Sequence, residues 1–217
     1  MPPVITDNGY TADDFMRDVF DASCPHLESR DRFKSFYEVL GQSPIQRAQQ
    51  VVVDRIDFID PQGPRIIELG CHVGFNCIHY AKLGYDVTGV DIAASLIKEA
   101  ELRKAALPLP VQNKVRFIQS WIEDINIDEP AFDDVILTAT LEHVINPAAI
   151  VMAAARWLAP TGSMWISAPN TRTGNYSHVR GVTENDLSEW LHAAGLAVQT
   201  WSSTPKETRA EARWRRL

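Results

Sequence analysis

Ile66-Ile67-Glu68-Leu69-Gly70-Cys71-His72-Val73-Gly74-Phe75-Asn76 decides the fold. Its first four residues read as a strand buried on both faces. Gly70 and Gly74 then form a tight turn, and a helix starts near Phe75. Glycines in such a turn let a ligand approach the backbone, and the helix start offers unpaired N–H groups. Asp91 ends the next apolar run about 20 residues further on, where a carboxylate accepts the hydroxyls of a ribose. Together these features are a nucleotide-type signal.

Around that stretch, short apolar runs at residues 66–69, 87–90, 115–118, 135–137 and 164–167 alternate with helical patterns. Such alternation implies parallel strands joined by right-handed crossovers, an α/β, Rossmann-like sheet flanked by helices. Asn146 and Pro147 start a helix that ends before Pro160 and Gly162, and Thr183 with Asp186 caps another that ends at Gly195. A last strand is expected at 197–202. The tail 206–217, with Arg209, Arg213, Arg215 and Arg216, reads first as a solvated terminus; a last edge strand or a partner-binding helix is the other reading.

Residues 1–62 read as a helical segment that caps the site or makes a dimer contact, and residues 63–217 as the binding domain. Phe33, Phe36, Tyr37 and Leu40 recur at the spacing of one helix face. Ser43, Pro44 and Gln46 open a further helix that Val51, Val52, Ile56 and Ile59 extend, until Pro61 to Pro64 turn the chain.

The chain has 217 residues with 45% hydrophobic and 23% charged, enough for one sizeable core and no second full domain. Lys+Arg 21 against Asp+Glu 28 gives a formal charge of −7, which disfavours nucleic acid as a partner. The N-terminus lacks the layout of a secretory signal, and Arg156 interrupts the longest apolar stretch, so a cytoplasmic protein without a membrane span is expected. Cys24, Cys71 and Cys77 lack zinc-site spacing and read as reduced thiols.

The glycine count separates the two common users of a nucleotide turn. A dinucleotide fingerprint needs glycine at positions 72 and 75, where His72 and Phe75 would crowd a pyrophosphate. A nicotinamide-dependent oxidoreductase is therefore disfavoured. Glu68 to Gly74, Gly89-Val90-Asp91-Ile92, Phe132-Asp133 through Leu141-Glu142-His143-Val144, Leu158 to Gly162 and Ile166 to Asn170 occur in order. In that order they resemble the class I S-adenosylmethionine-dependent methyltransferases, small-molecule subgroup, including the ubiquinone-biosynthesis O-methyltransferases.

The resemblance implies a mostly parallel sheet of seven-stranded type and S-adenosyl-L-methionine as cofactor. Its binding residues would be Glu68, Gly70, Cys71, His72, Gly74, Asn76, Asp91, Ile92, Trp121, Ile122 and Thr138. Glu68 would stand near the cofactor's ammonium group, Asp91 at its ribose and Ile92 at its adenine. His72 replaces the family's middle glycine, which is expected to narrow or reshape the pocket. Trp121 stands where many members carry an acidic residue, and either stacks on the base or fills the core beside the sheet.

Ala139 replaces the first carboxylate of the E-x-x-E-H arrangement linked to metal in the ubiquinone enzymes. Glu142 and His143 remain, two ligands adjacent in the chain, so no required metal is expected. Read locally, Glu142 is a helix-start carboxylate.

The sulfonium methyl is already activated, so transfer is an in-line displacement that needs alignment and, for a hydroxyl acceptor, a base. His143 and His178 are the catalytic candidates, both at carboxyl ends of strands. Arg180 would pair with an acceptor carboxylate or phosphate, and Tyr37 would belong to an aromatic lid over a small-molecule acceptor. The alternative is a non-catalytic protein of the same fold acting as a partner or regulatory subunit; a homodimer is compatible with either.

Overall fold

The structure, a computed structural model, describes residues 56–127, 132–171 and 178–215. Tyr37 and the helices expected before residue 56 lie outside them. Seven strands are described: β1 Arg65–Leu69, β2 Asp86–Asp91, β3 Val115–Gln119, β4 Phe132–Thr138, β5 Leu158–Pro169, β6 Leu196–Trp201 and β7 Glu207–Trp214. They form one sheet in the order β3-β2-β1-β4-β5-β7-β6. The first five are mutually parallel, and β7 runs antiparallel to both β5 and β6. The helices are α1 Phe75–Lys82, α2 Ala94–Ala105, α3 Leu109–Gln112, α4 Pro147–Ala155 and α5 Glu184–Ala193.

The interiors of β1, β2, β4 and β5 are buried on both faces, which requires a layer on each side. Ile66, Val87, Ile136 and Trp165 pack with Cys77, Tyr80 and Ala81 of α1, and with Ile56 and Ile59. Ile67, Leu69, Val135, Leu137, Met164 and Ile166 pack on the opposite face with residues of α4 and α5. The chain winds outward from β1 to β3 and then returns to place β4 on the other flank of β1. That reversal puts the switch point, where open α/β sheets bind ligands, at the carboxyl ends of β1 and β4.

The expected caps hold. Asn146 accepts from Ala149 N at 3.1 Å with Pro147 behind it. Thr183 and Asp186 form a reciprocal capping box at α5.

Three readings need correction. Residues 56–59 form a turn closed by Ile59 N to Ile56 O at 3.0 Å and do not extend a helix. α4 ends before Pro160 as expected, but residues 158–162, which the family resemblance makes a turn, lie inside β5, whose pairing with β4 shifts register between Phe132 and Asp134; a Cβ at Gly162 would stand 2.5 Å from Asp133 O, which explains the glycine.

The basic tail is the third. Thr208, Ala210 and Ala212 are buried, and β7 is inserted between β5 and β6, leaving β6 at the edge. Arg209 is held by Glu207 at 2.7 Å and Asp57 at 2.9 Å, and Arg213 by Glu211 at 2.7 Å. Alternation of small residues with paired charges suits a covered strand better than a solvated end.

Candidate functional site

The turn after β1 is set by backbone geometry. Gly70 has φ 83°, and a Cβ there would lie 2.5 Å from Thr140 Oγ1. Conformation and contact both demand glycine. Thr140 donates to Leu69 O at 2.8 Å, so the segment after β4 closes against the end of β1. Gly70 N and Cys71 N both donate to Val90 O, at 2.8 and 2.9 Å, which fixes β1 to β2. Gly74 has φ 75°, and a Cβ there would overlap the Phe117 ring of β3.

His72 adopts the left-handed conformation, φ 53°, that glycine adopts readily and histidine tolerates better than branched residues. Its N–H donates to Asp91 Oδ2 at 2.9 Å, and its side chain is exposed. The substitution therefore leaves the turn a glycine-like backbone and places an imidazole at the rim. Asp91 Oδ1 accepts from Ala93 N at 3.0 Å. One buried carboxylate thus braces the loops after β1 and β2 together, and each carboxylate oxygen has the capacity to accept more than one hydrogen bond.

Beneath the turn, Glu68 accepts from Asn76 Nδ2 at 2.6 Å, Thr138 Oγ1 at 3.3 Å and Cys77 Sγ at 3.0 Å. Burial raises its pKa to about 7, with the three donors acting against the shift. Asn76 Oδ1 is buried and has no hydrogen-bond partner among the described residues. A carboxylate and an unused carbonyl side by side form a receptor for a cationic donor, and an ammonium group fits that chemistry. Cys71 and Cys77 are free and buried. Burial pushes the Cys71 thiol up to about 11, which keeps it protonated.

The remaining expected cofactor residues lie on the same rim. Ser120 N donates to Asp91 O at 3.0 Å, joining the ends of β2 and β3. Ile92 and Trp121 are half-buried beside that junction, and Ile122 is buried at the start of a single 3₁₀ turn.

On the other side of the switch point, Glu142 is wholly buried in the turn after β4, five residues before α4, and is no helix-start carboxylate. Ala139, with φ 51°, bends the chain into that turn. Val179 N donates to Glu142 O at 2.9 Å, and Arg180 Nη2 to Ile145 O at 2.8 Å. These bonds dock the segment before α5 onto the turn. His143 and His178 then meet edge to face, ring centroids 4.8 Å apart, with His143 Nε2 3.8 Å from Glu142 Oε1. The donor atoms of Glu142, His143 and His178 all lie within 4.8 Å of one another.

The fold thus adds a third, nitrogen donor to the two adjacent ligands on which the expectation of no required metal was based. A buried carboxylate with two imidazoles is a donor set that fits a divalent cation. Sequence reading also missed Thr140, whose value appears only when Gly70 is brought against it, and the burial of Glu142.

A ribose-type carboxylate, a glycine turn and an ammonium receptor at the switch point of this sheet define a class, the enzymes that use S-adenosylmethionine as methyl donor. The chain matches the methyltransferase domain family over residues 45–201 and belongs to it; it is an S-adenosylmethionine-dependent methyltransferase. It is 30% identical over 179 residues to the ubiquinone biosynthesis O-methyltransferase of Xylella fastidiosa strain 9a5c, covering 73% of this chain and 71% of that one. It is 27% identical over 179 residues to the enzyme of the same name from Xanthomonas axonopodis pv. citri, covering 73% of each. The fold is shared with the glycopeptide N-methyltransferase MtfA in complex with (S)-adenosyl-L-methionine, with TM-score 0.61 and 12% identity, over 78% of this chain and 93% of that one. No helix among the described residues is long and apolar enough to cross a membrane.

Proposed function

We propose that the enzyme methylates a hydroxyl group of a small molecule, and that the cluster of Glu142, His143 and His178 activates that hydroxyl. The observation that carries this reading is the meeting of His143 and His178 beside a buried carboxylate, at the carboxyl ends of β4 and β5 and next to the cofactor turn. Bound S-adenosylmethionine supplies a methyl on a sulfonium, which passes to the acceptor oxygen as the carbon–sulfur bond breaks toward sulfur. Glu68 and Asn76 hold the ammonium end of that donor, Asp91 its ribose, and Ile92, Trp121 and Ile122 its base. The backbone of Gly70, Cys71, His72 and Gly74 lines the channel between them. Thr138 orients Glu68.

The cluster draws the hydroxyl proton away as the oxygen attacks, which raises the nucleophile's charge when the bond forms. Arg180 stands on the same loop as His178. Its Nε is buried without a hydrogen-bond partner among the described residues, which suits an anionic group on the acceptor. Tyr37, from residues 1–62, is assigned to the same acceptor side, and that segment to a cap or a homodimer contact. A quinone precursor, as in the name of the relatives, is the first acceptor to try. The buried free thiols favour a reducing, cytoplasmic compartment.

Calorimetry with S-adenosylhomocysteine and NAD, followed by methyl transfer to a panel of phenolic acceptors, tests the reading. Binding of the first ligand alone and methylated oxygen in the product are expected. Methylation confined to amines would remove the hydroxyl assignment.

A further inference from the structure

We propose that Ser167, at the carboxyl end of β5, donates its hydroxyl to the carboxylate of the cofactor's methionine. Ser167 is 1% exposed, and its Oγ has no hydrogen-bond partner among the described residues. A buried hydroxyl left unpaired weakens a fold, so each one asks for an explanation. The strand register shows where this one stands. Ser167 pairs with Thr138 in the parallel ladder of β4 and β5, and with Arg209 in the antiparallel ladder of β5 and β7. Paired residues turn their side chains to the same face of a sheet. That face is the one α1 covers, because Ile136 and Trp165, two residues before Thr138 and Ser167, pack there with Cys77 and Tyr80.

Thr138 is itself part of the ammonium receptor. Its Oγ1 lies 3.3 Å from Glu68 Oε1 and 3.3 Å from Asn76 Nδ2. Ser167 stands one strand spacing, about 5 Å, beyond Thr138 on the side away from β1. The order of groups along the cofactor follows the order of the strands. Ile92 and Trp121 flank the ends of β2 and β3, Asp91 ends β2, and Glu68 and Asn76 belong to β1 and α1. Adenine, ribose and ammonium, assigned to these residues in turn, advance across the sheet toward β4. The carboxylate shares a carbon with the ammonium and ends the molecule, so the next uncommitted donor in that direction receives it. That placement rests on the assignment of the ammonium to Glu68 and Asn76.

The neighbouring donors are committed. Thr138 Oγ1 donates to Glu68, and Thr140 Oγ1 donates to Leu69 O at 2.8 Å. Arg209 is held by Glu207 at 2.7 Å and by Asp57 at 2.9 Å, and its guanidinium lies 5.4 Å from the centre of the Phe58 ring. Ser167 keeps its O–H for a ligand, and a carboxylate is the stronger kind of acceptor. The acceptor cluster does not compete for it. Glu142, His143 and His178 lead into α4 and α5, whose apolar residues pack on the opposite face of the sheet. Ser167 thus belongs with the methionine end of the methyl donor.

Calorimetry on the full-length protein with three ligands tests the proposal: S-adenosylhomocysteine, its decarboxylated analogue, and methylthioadenosine, which lacks both the ammonium and the carboxylate. The unaltered protein should bind S-adenosylhomocysteine about tenfold or more tighter than the decarboxylated analogue. Ser167→Ala should weaken S-adenosylhomocysteine by about tenfold while the decarboxylated analogue binds as before, so that the preference for the carboxylate nearly disappears. Equal affinities for those two ligands in the unaltered protein would overturn the proposal without any variant. So would undiminished S-adenosylhomocysteine binding in Ser167→Ala, or an equal loss of both ligands, which would mark a structural hydroxyl. A raised KM for the methyl acceptor with cofactor binding unchanged would move Ser167 to the acceptor and overturn the proposal as well. A decarboxylated analogue that binds the unaltered protein no tighter than methylthioadenosine would count against the ammonium assignment alone.

Discussion

The two halves of the site, on either side of the switch point, are built differently. The donor half rests largely on bonds within and between neighbouring loops, with Thr138 and Thr140 reaching it from β4 and the turn after it, 70 and 71 residues away. Asp91 braces a loop 19 residues away and its own second neighbour, and Asn76 reaches Glu68 eight residues back. The acceptor half is assembled by docking one loop on another, with Val179 on Glu142 and Arg180 on Ile145, 37 and 35 residues apart. The donor half binds a ligand of fixed chemistry, so its geometry is written into one turn. The acceptor half takes its shape from how two separate segments dock, which lets the acceptor change while the sheet stays the same.

The largest effect should come from breaking the donor turn. Gly70→Ala forces a left-handed alanine and drives its methyl into Thr140. Left-handed strain and overpacking together destabilise by about 3 kcal/mol or more. Denaturant titration should show the loss, with S-adenosylhomocysteine binding lost as well. Stability unchanged within about 0.5 kcal/mol would mean that the turn yields freely.

Glu68 gives the next effect, and its sign follows from the direction of its shift. Its folded pKa, about 7, lies above the ordinary 4.5, so the folded state holds the proton more tightly. Stability from this group is full below pH 4.5 and is lost as pH rises through 7, on the order of 3 kcal/mol in all. Apo-protein melts between pH 5 and 8 should show that slope, and Glu68→Gln should flatten it. An ammonium arriving beside Glu68 favours the ionised form, so S-adenosylhomocysteine should bind more tightly as pH rises through 7 in the wild type only.

This contrast explains what was legible in the sequence. Strand alternation, both helix caps and the place of Asp91 at the end of β2 depend on neighbours close in the chain, and periodicity or spacing reports them. The insertion of β7 between β5 and β6 does not follow from local pattern, because Arg209 and Arg213 look solvent-seeking until Glu207, Asp57 and Glu211 are placed beside them. Glu142 was misjudged for the same reason. Its burial depends on the loop that carries His178, and nothing within four residues of it announces that contact.

Asp91 sharpens the comparison at intermediate magnitude. Asp91→Ala removes the carboxylate proposed to hold the ribose and should weaken S-adenosylmethionine binding by about 1.5–3 kcal/mol. It also strips an acceptor from His72 N and from Ala93 N, so the apo-protein should lose stability as well. Asp91→Asn keeps one carbonyl oxygen and should fall between the two in both measurements. A variant that loses affinity with no change in melting would confine Asp91 to the ligand and remove its bracing role.

The smallest effect is expected where the acceptor half copies the donor half's backbone without its glycine. Ala139 sits at φ 51°, in the region Gly70 occupies at 83°, yet carries a Cβ. Left-handed alanine is strained by about 1–2 kcal/mol, and glycine at the same place loses more chain entropy on folding, by about 0.5–1 kcal/mol. The two terms oppose each other, so Ala139→Gly should stabilise by no more than about 1 kcal/mol, the reverse in sign of Gly70→Ala. Guanidinium titration of both variants side by side checks this. Destabilisation of Ala139→Gly by more than about 1 kcal/mol would show that the methyl packs in the turn. The acceptor half would then owe its bend to side-chain packing, where the donor half owes its own to backbone freedom.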